Sequence, residues 1–178
     1  MDVFVFEIFH TVAGRSSLLD GLIVFLANYL IYFLVLGTLF FVFSLKGSKE
    51  KIFAFVMVAL TAVISRGIFT EVIRFFYDRA RPYEGLGFEP LFMDLNPAFP
   101  SGHTTFLFAL AFAIFYFNRF WGSWFLGLSF LVGVSRIVAG VHWPLDVLGG
   151  IAVAFLSFFI AERLLEKYKP VLGGGEAS

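Results

Sequence analysis

The feature that most constrains this chain is a series of apolar runs, most of them close to twenty residues long or longer. They occupy residues 18–45, 52–77, 101–117, 121–136 and 147–165. A helix needs about 20 apolar residues to cross a hydrocarbon core of roughly 30 Å, so each run predicts a transmembrane helix. A soluble helical bundle would need polar helix faces that these runs lack. We therefore predict an all-α fold, a polytopic membrane helical bundle of about five transmembrane helices.

Composition supports this class and excludes several others. Only 15% of the 178 residues are charged, whereas about a quarter are charged in a typical soluble domain. The absence of cysteine excludes disulfides, thiol nucleophiles and zinc–thiolate sites. A formal net charge of zero gives no general attraction to nucleic acid, so the bilayer is the partner that composition predicts and nucleic acid is not expected.

The two ends of the chain differ from the spans. The first ten residues carry Asp2 and Glu7 without a basic leader, which predicts a short amphipathic helix on the membrane surface and no cleaved signal peptide. Residues 1–170 are predicted to form a single membrane-embedded domain. The last residues, 171–178, end in GGGEAS and are predicted to be a flexible tail.

Basic residues predict the orientation in the membrane. They cluster between the first and second runs, between the third and fourth, and after the fifth: Lys46, Lys49, Lys51, Arg119, Arg163, Lys167 and Lys169. With five spans these residues share one side, which the positive-inside rule assigns to the cytoplasm. We expect a multi-pass protein of the cell (inner) membrane whose active site faces the outside or periplasm.

Three polar clusters interrupt the apolar pattern on the opposite side. They are Arg74 to Arg81-Pro82, Pro100-Ser101-Gly102-His103, and Ser135-Arg136 followed by His142-Trp143-Pro144-Leu145-Asp146. Ionisable residues within or beside membrane spans are costly and tend to mark function. We expect the clusters to converge on one site.

Arg74, Arg81 and Arg136 predict a phosphate clamp, since a guanidinium stays protonated and offers paired donors to phosphate oxygens. Any one of them alone is explained by a side chain that extends to the membrane surface. The backbone N–H groups of Ser101 and Gly102, at the start of the third span, are predicted to face the same pocket as an anion site. A lone Ser-Gly pair is otherwise a plain helix cap.

His142 and Asp146 are four residues apart, which predicts one helical turn. A carboxylate at this spacing can hold one ring nitrogen protonated and leave the other free to attack. We predict that His142 is a nucleophile forming a phosphohistidine and that His103 is the general acid and base. We predict no metal and no cofactor, because three nearby arginines would repel a divalent cation.

The spaced motifs Arg74-x6-Arg81-Pro82, Pro100-Ser101-Gly102-His103 and Ser135-Arg136-x5-His142-x3-Asp146 together resemble the type 2 phosphatidic acid phosphatase superfamily. The family usually has lysine at the first position, where this chain has Arg74. The resemblance implies metal-independent hydrolysis of a lipid phosphate through His142, with Asp146 orienting it. It also implies a phosphate pocket, formed by Arg74, Arg81, Ser101, Gly102, His103 and Arg136.

Within that superfamily the small size and the stretch from Glu7 to Asp20 look most similar to bacterial undecaprenyl pyrophosphate phosphatases. Lipid A, phosphatidylglycerophosphate and phosphatidic acid stay open as alternative substrates. Vanadate-dependent haloperoxidases resemble the same motifs but are largely soluble. An anion or lipid transporter is the non-enzyme alternative, although it would more typically show repeats and helices broken near mid-membrane.

Three further residues and one segment are candidates for supporting roles. Glu71 is predicted to pair with Arg66 or Arg74, either as support for the site or as a structural ion pair between spans, and Ser135 is a further supporting candidate. Residues 83–99 either gate lipid entry or form an ordinary surface loop.

Overall fold

The computed structural model describes residues 2–169, which fold into helices joined by short connections and one long polar segment. The helices are α1 (Asp2–His10), α2 (Ser17–Ser44), α3 (Ser48–Phe76), α4 (Pro82–Leu86), α5 (Gly102–Phe117), α6 (Arg119–Val138) and α7 (Pro144–Tyr168). Four of them, α2, α3, α6 and α7, are long and apolar enough to cross a membrane, and α5 is a shorter apolar helix. The prediction of an all-α membrane bundle is confirmed. The predicted tail, 171–178, lies outside the described residues.

Helices α3, α6 and α7 begin two to four residues before the apolar runs that predict them. The fifth run begins at residue 147, whereas α7 begins at Pro144, because proline has the backbone angle that the first helical position requires. At the other end of the bundle, the Asn118 side chain accepts a 3.0 Å hydrogen bond from the Trp121 N–H and caps α6. Capping residues and the first helical residues are often polar, so the hydropathy pattern misses the first turn of these helices.

The shortest apolar helix, α5, is the centre of the bundle. It packs against α3, α6 and α7, and Leu107, Leu110 and Ile114 are among its buried side chains. The outer helices present large apolar side chains outward, for example Phe40, which is 68% exposed. Surfaces of this kind suit lipid chains rather than water. Because other helices enclose α5, it can be shorter than a full span.

Helix α1 is fastened to one end of the bundle. Its Phe6 is 1% exposed and packs against the Trp143 ring at a tilt of 59°, with ring centroids 5.2 Å apart. Asp2 accepts a 3.0 Å hydrogen bond from the Leu145 N–H at the start of α7. The expected N-terminal helix is therefore present and docks on protein, while its position on a membrane surface stays a prediction.

The helix directions bring the three polar clusters together. The end of α3, the start of α5, the end of α6 and the start of α7 meet at the end of the bundle that carries α1. The long segment 77–101, which includes α4, connects two of these ends. The basic residues that predict the orientation lie at the opposite end, near the α2–α3 connection, at the start of α6 and near the end of α7.

Candidate active site

A cavity of about 150 Å³ lies where the polar clusters meet. Its lining residues come from α2, α3, α5, the segment 77–101 and the α6–α7 turn: Ile31, Arg66, Arg74, Asp94, Asn96, Gly102, His103, Phe106 and His142. Basic and imidazole groups dominate the polar part of the lining, which is suited to an anion. Among residues 2–169, no three His, Cys, Asp or Glu side chains are grouped closely enough to hold a metal ion.

His142 and Asp146 are in contact, as their spacing predicts. The His142 Nδ1 lies 3.3 Å from Asp146 Oδ2. The expectation that they share a helical turn is wrong, because α7 begins at Pro144 and His142 precedes it. The Asp146 carboxylate instead reaches back to the helix start, where Oδ2 also accepts a 2.8 Å hydrogen bond from the Trp143 N–H. The dyad is therefore built on a helix N-terminus.

The other Asp146 oxygen is held by Arg79, which was not predicted to be part of the site. Arg79 Nη1 donates to Asp146 Oδ1 at 2.6 Å, and Arg79 also forms an ion pair with Asp2 of α1. Asp146 is fully buried, so both carboxylate oxygens have fixed partners and the orientation of His142 is constrained. With Nδ1 directed to Asp146, the second ring nitrogen of His142 is the one left for chemistry.

The electrostatic surroundings keep His142 uncharged. Burial first, and then the positive charges of Arg136 and Arg81, place the pKa of His142 well below its ordinary value of 6.5. The imidazole is therefore neutral near pH 7, which is the state that a nucleophilic nitrogen requires.

Arg81 and Arg136 share a carboxylate that no motif marks. Arg136 Nη2 donates to Asp94 Oδ2 at 2.6 Å, and Arg81 Nη2 lies 2.9 Å from Asp94 Oδ1. The two arginines are 1% and 0% exposed. Burial raises the pKa of Asp94, but the charges of Arg81 and Arg136 outweigh it and hold the pKa below its ordinary value of 3.8. Asp94 thus occupies two of the three guanidinium groups that are predicted to bind phosphate.

Asp94 changes the interpretation of residues 83–99. The segment is anchored by the Tyr83 hydroxyl, which donates to the Asp94 carbonyl oxygen at 2.8 Å. It is not an ordinary surface loop, because it inserts a carboxylate into the cavity lining. Its action as a gate for lipid stays a prediction.

Backbone carbonyl groups orient the three predicted phosphate-binding arginines. The acceptors are Pro100 O for Arg74, Asn96 O and Val141 O for Arg81, and Ala27 O for Arg136. Two buried nitrogens nevertheless have no hydrogen-bond partner among residues 2–169: Arg74 Nε and Arg136 Nε. Unpaired buried donors are costly. A phosphate placed among them would supply the missing acceptors.

Ser101 and Gly102 are predicted to face the same pocket, but only Gly102 lines the cavity. The Ser101 N–H donates to the Asp146 carbonyl oxygen at 3.0 Å, so the expectation that it faces the pocket is wrong. Ser101 is fully buried and supports the join between α5 and α7. A Cβ at Gly150 would lie 3.0 Å from Ser101 O, so the glycine permits this close approach. Gly102 does line the cavity, as predicted.

Glu71 and Ser135, which are predicted to support the site, each bond within their own helix. Glu71 forms an ion pair with Arg66, so the predicted pairing is confirmed, but it lies within α3 and does not join two spans. The partners are five residues apart because residues Val63–Phe69 of α3 form a π-helical stretch. The Ser135 hydroxyl donates to Leu131 O at 2.8 Å within α6, and it does not line the cavity.

Comparison with known proteins gives the relationship of the whole chain. The sequence pattern of the PAP2 superfamily matches residues 55–169. The bacitracin transport permease protein BcrC of Bacillus licheniformis is 30% identical over 170 residues, which cover 92% of this chain and 82% of that protein. The undecaprenyl-diphosphatase BcrC of Bacillus subtilis is 30% identical over 173 residues, covering 96% of this chain and 87% of that protein.

Solved structures agree with this relationship at the level of the fold. The crystal structure of Aquifex aeolicus LpxE superposes with a TM-score of 0.72 and 25% identity, covering 90% of this chain and 94% of that one. A PAP2-type phosphatidylglycerolphosphate phosphatase from Bacillus subtilis superposes with a TM-score of 0.66 and 22% identity, covering 96% and 87%.

Proposed function

Because the chain belongs to the PAP2 superfamily of metal-independent membrane lipid phosphatases, we propose that it converts undecaprenyl pyrophosphate to undecaprenyl phosphate at the outer face of the cell membrane. The observation that carries the proposal is the contact between His142 and Asp146. His142 lines the cavity together with His103 and Arg74. The Bacillus subtilis relative that is named an undecaprenyl-diphosphatase supports the choice of lipid.

In the proposed reaction, the free ring nitrogen of His142 attacks the terminal phosphorus. A nitrogen–phosphorus bond forms, and the bond from that phosphorus to the bridging oxygen breaks. Arg74, Arg81 and Arg136 stabilise the charge on the transferred group. His103 protonates the departing oxygen when it needs a proton. In the second step His103 removes a proton from water, which attacks the phosphohistidine and releases inorganic phosphate.

An apolar groove beside the cavity supports a lipid substrate. It has a volume of about 180 Å³, is lined by α2, α3 and α5 residues such as Val35, Ala59 and Leu110, and shares Phe106 with the cavity. A headgroup at the cavity could therefore place its hydrocarbon chain along the groove. Such a division between a polar headgroup site and an apolar chain site is what a lipid requires.

The proposed orientation rests on charge. The cavity and the basic connections lie at opposite ends of the bundle, and the basic end is expected in the cytoplasm. The substrate would then enter from the outer leaflet or from the periplasmic side.

Transport is the second candidate, because the Bacillus licheniformis relative is named a transport permease protein. The arginines would then bind an anion without breaking a bond. The His142–Asp146 contact favours hydrolysis, since binding alone does not need an oriented neutral imidazole.

The first experiment is phosphate release by the purified protein in detergent with excess EDTA. The panel is undecaprenyl pyrophosphate, phosphatidic acid, phosphatidylglycerophosphate and lipid A. We expect release that EDTA does not reduce, with preference for the pyrophosphate. Preference for another lipid would replace the proposed substrate. No release from any of them by folded protein would favour transport.

Asp94→Asn gives a further expected result. The substitution frees Arg81 and Arg136 for phosphate. Inorganic phosphate should then inhibit about tenfold more strongly, which corresponds to roughly 1.4 kcal/mol of binding free energy. The lost ion pairs should lower the thermal midpoint. The pKa of Asp94 is lower in the folded protein than its ordinary value. Its ion pairs therefore stabilise the folded wild type fully above about pH 4, and this stabilisation is lost as the pH falls through the lowered pKa.

The control is Glu89→Gln in the same segment, which should leave phosphate inhibition unchanged. Unchanged inhibition in Asp94→Asn as well would show that Asp94 does not compete with phosphate.

A further inference from the structure

Arg66 differs in exposure from Arg74, the other arginine that lines the cavity, and from Arg81 and Arg136, which contact the lining residue Asp94. The Arg66 side chain is 38% exposed, whereas Arg74, Arg81 and Arg136 are 9%, 1% and 0% exposed. The site therefore has three buried cations, of which Arg74 lines the cavity, and one partly exposed cation, Arg66. The buried cations suit the phosphoryl group that is transferred, and Arg66 is left without a role in that step.

Arg66 lies next to the residue that would protonate the leaving group. A Cβ at Gly102 would lie 3.0 Å from Arg66 Nε and 3.4 Å from Arg74 Nη2, so both guanidinium groups pack over the backbone just before His103. Since His103 faces the departing oxygen in the proposed reaction, Arg66 lies on the path of the leaving group.

The local structure of α3 points Arg66 to this place. It belongs to the π-helical stretch Val63–Phe69, and the Thr70 hydroxyl donates to Ser65 O, five residues earlier. π-Helical turns are frequent at functional sites because they change the direction of side chains. Glu71 holds Arg66 from the outer side and does not line the cavity.

From these observations, and resting on the proposed function, we infer that Arg66 binds the leaving phosphate of a diphosphate substrate and so determines preference for diphosphates over monoesters. When His142 attacks the terminal phosphorus, the bridging oxygen departs with its electron pair as part of a lipid monophosphate. That product is a weak base and needs charge neutralisation more than a proton. A monoester releases an alcohol instead, which needs the proton of His103 and gains little from Arg66.

The test compares farnesyl diphosphate with farnesyl monophosphate, which share a tail and differ in the leaving group. In Arg66→Gln, kcat/KM for the diphosphate should fall about 100-fold, as expected for loss of one electrostatic donor. The value for the monophosphate should change by no more than about threefold. Arg66→Lys keeps the charge and should recover part of the diphosphate activity.

Glu71→Gln is the matched control, because it breaks the same ion pair and keeps the cation. It should preserve the diphosphate preference. An equal fall for both substrates in Arg66→Gln, or the same loss of preference in Glu71→Gln, would assign Arg66 a structural role and overturn the inference while leaving the proposed function intact. A wild-type protein that hydrolyses neither substrate would instead overturn the proposed function, and the inference with it.

Discussion

Replacing His142 with alanine is expected to abolish turnover, by about 10⁴-fold or more, as when the nucleophile of a covalent mechanism is removed. His142 lines the cavity, and its contact with Asp146 leaves one ring nitrogen free to attack. Without the imidazole no phosphoenzyme can form. The measurement is phosphate release in detergent, together with rapid-quench detection of a phosphorylated protein.

His10→Ala is the matched control for this variant. His10 Nδ1 lies 2.9 Å from Val138 O at the same end of the bundle, but it does not line the cavity. The control should form a phosphoenzyme and retain turnover within about tenfold, since it removes one hydrogen bond away from the reacting atoms. Equal turnover in wild type and His142→Ala would contradict the phosphohistidine mechanism.

Asp146→Asn is expected to lower turnover by about 10⁴-fold, the effect seen when the carboxylate that orients a catalytic histidine becomes an amide. The amide can donate to His142 Nδ1 and favour the tautomer whose proton sits on the attacking nitrogen. Arg79 would also lose one of its two charged partners and keep Asp2. Lipid binding should persist, because the cavity lining does not include Asp146.

Turnover and lipid binding are measured separately to check this. Binding is followed by protection against thermal unfolding with the substrate lipid, and Asp78→Asn is the control, since Asp78 is an exposed acid close to Arg79 in the chain. Turnover of Asp146→Asn within tenfold of the wild type would show that the carboxylate does not orient the nucleophile.

Much of the fold was predictable because membrane spanning depends on local sequence. A run of apolar residues long enough to cross a bilayer must become a helix, since every backbone polar group needs an internal partner there. The role of α5 was less visible. Its run predicts a span like the others, yet it is the buried centre of the bundle, and burial by protein or lipid depends on neighbours that hydropathy does not describe.

The candidate site was likewise predictable only in part. Arg74, Gly102, His103 and His142 line one cavity as predicted, because three motifs at span ends must meet when the helices alternate in direction. The Ser101 amide does not face the pocket, since the close packing of α5 on α7 gives its N–H to Asp146 O. Sequence spacing fixes which end of a helix a residue occupies and leaves open which neighbour takes its hydrogen bond.

Sequence by itself determined the membrane class, the end of the bundle where the candidate site lies, and which histidines and arginines are candidates for it, because these follow from residue type and helical periodicity. Only the tertiary structure decided that Asp94 pairs with both Arg81 and Arg136, that Arg79 joins Asp2 to Asp146, and that Arg66 lines the cavity. The partners in these ion pairs come from distant parts of the chain, or depend on a π-helical turn. Charge attraction selects such partners only after the fold has brought them within reach.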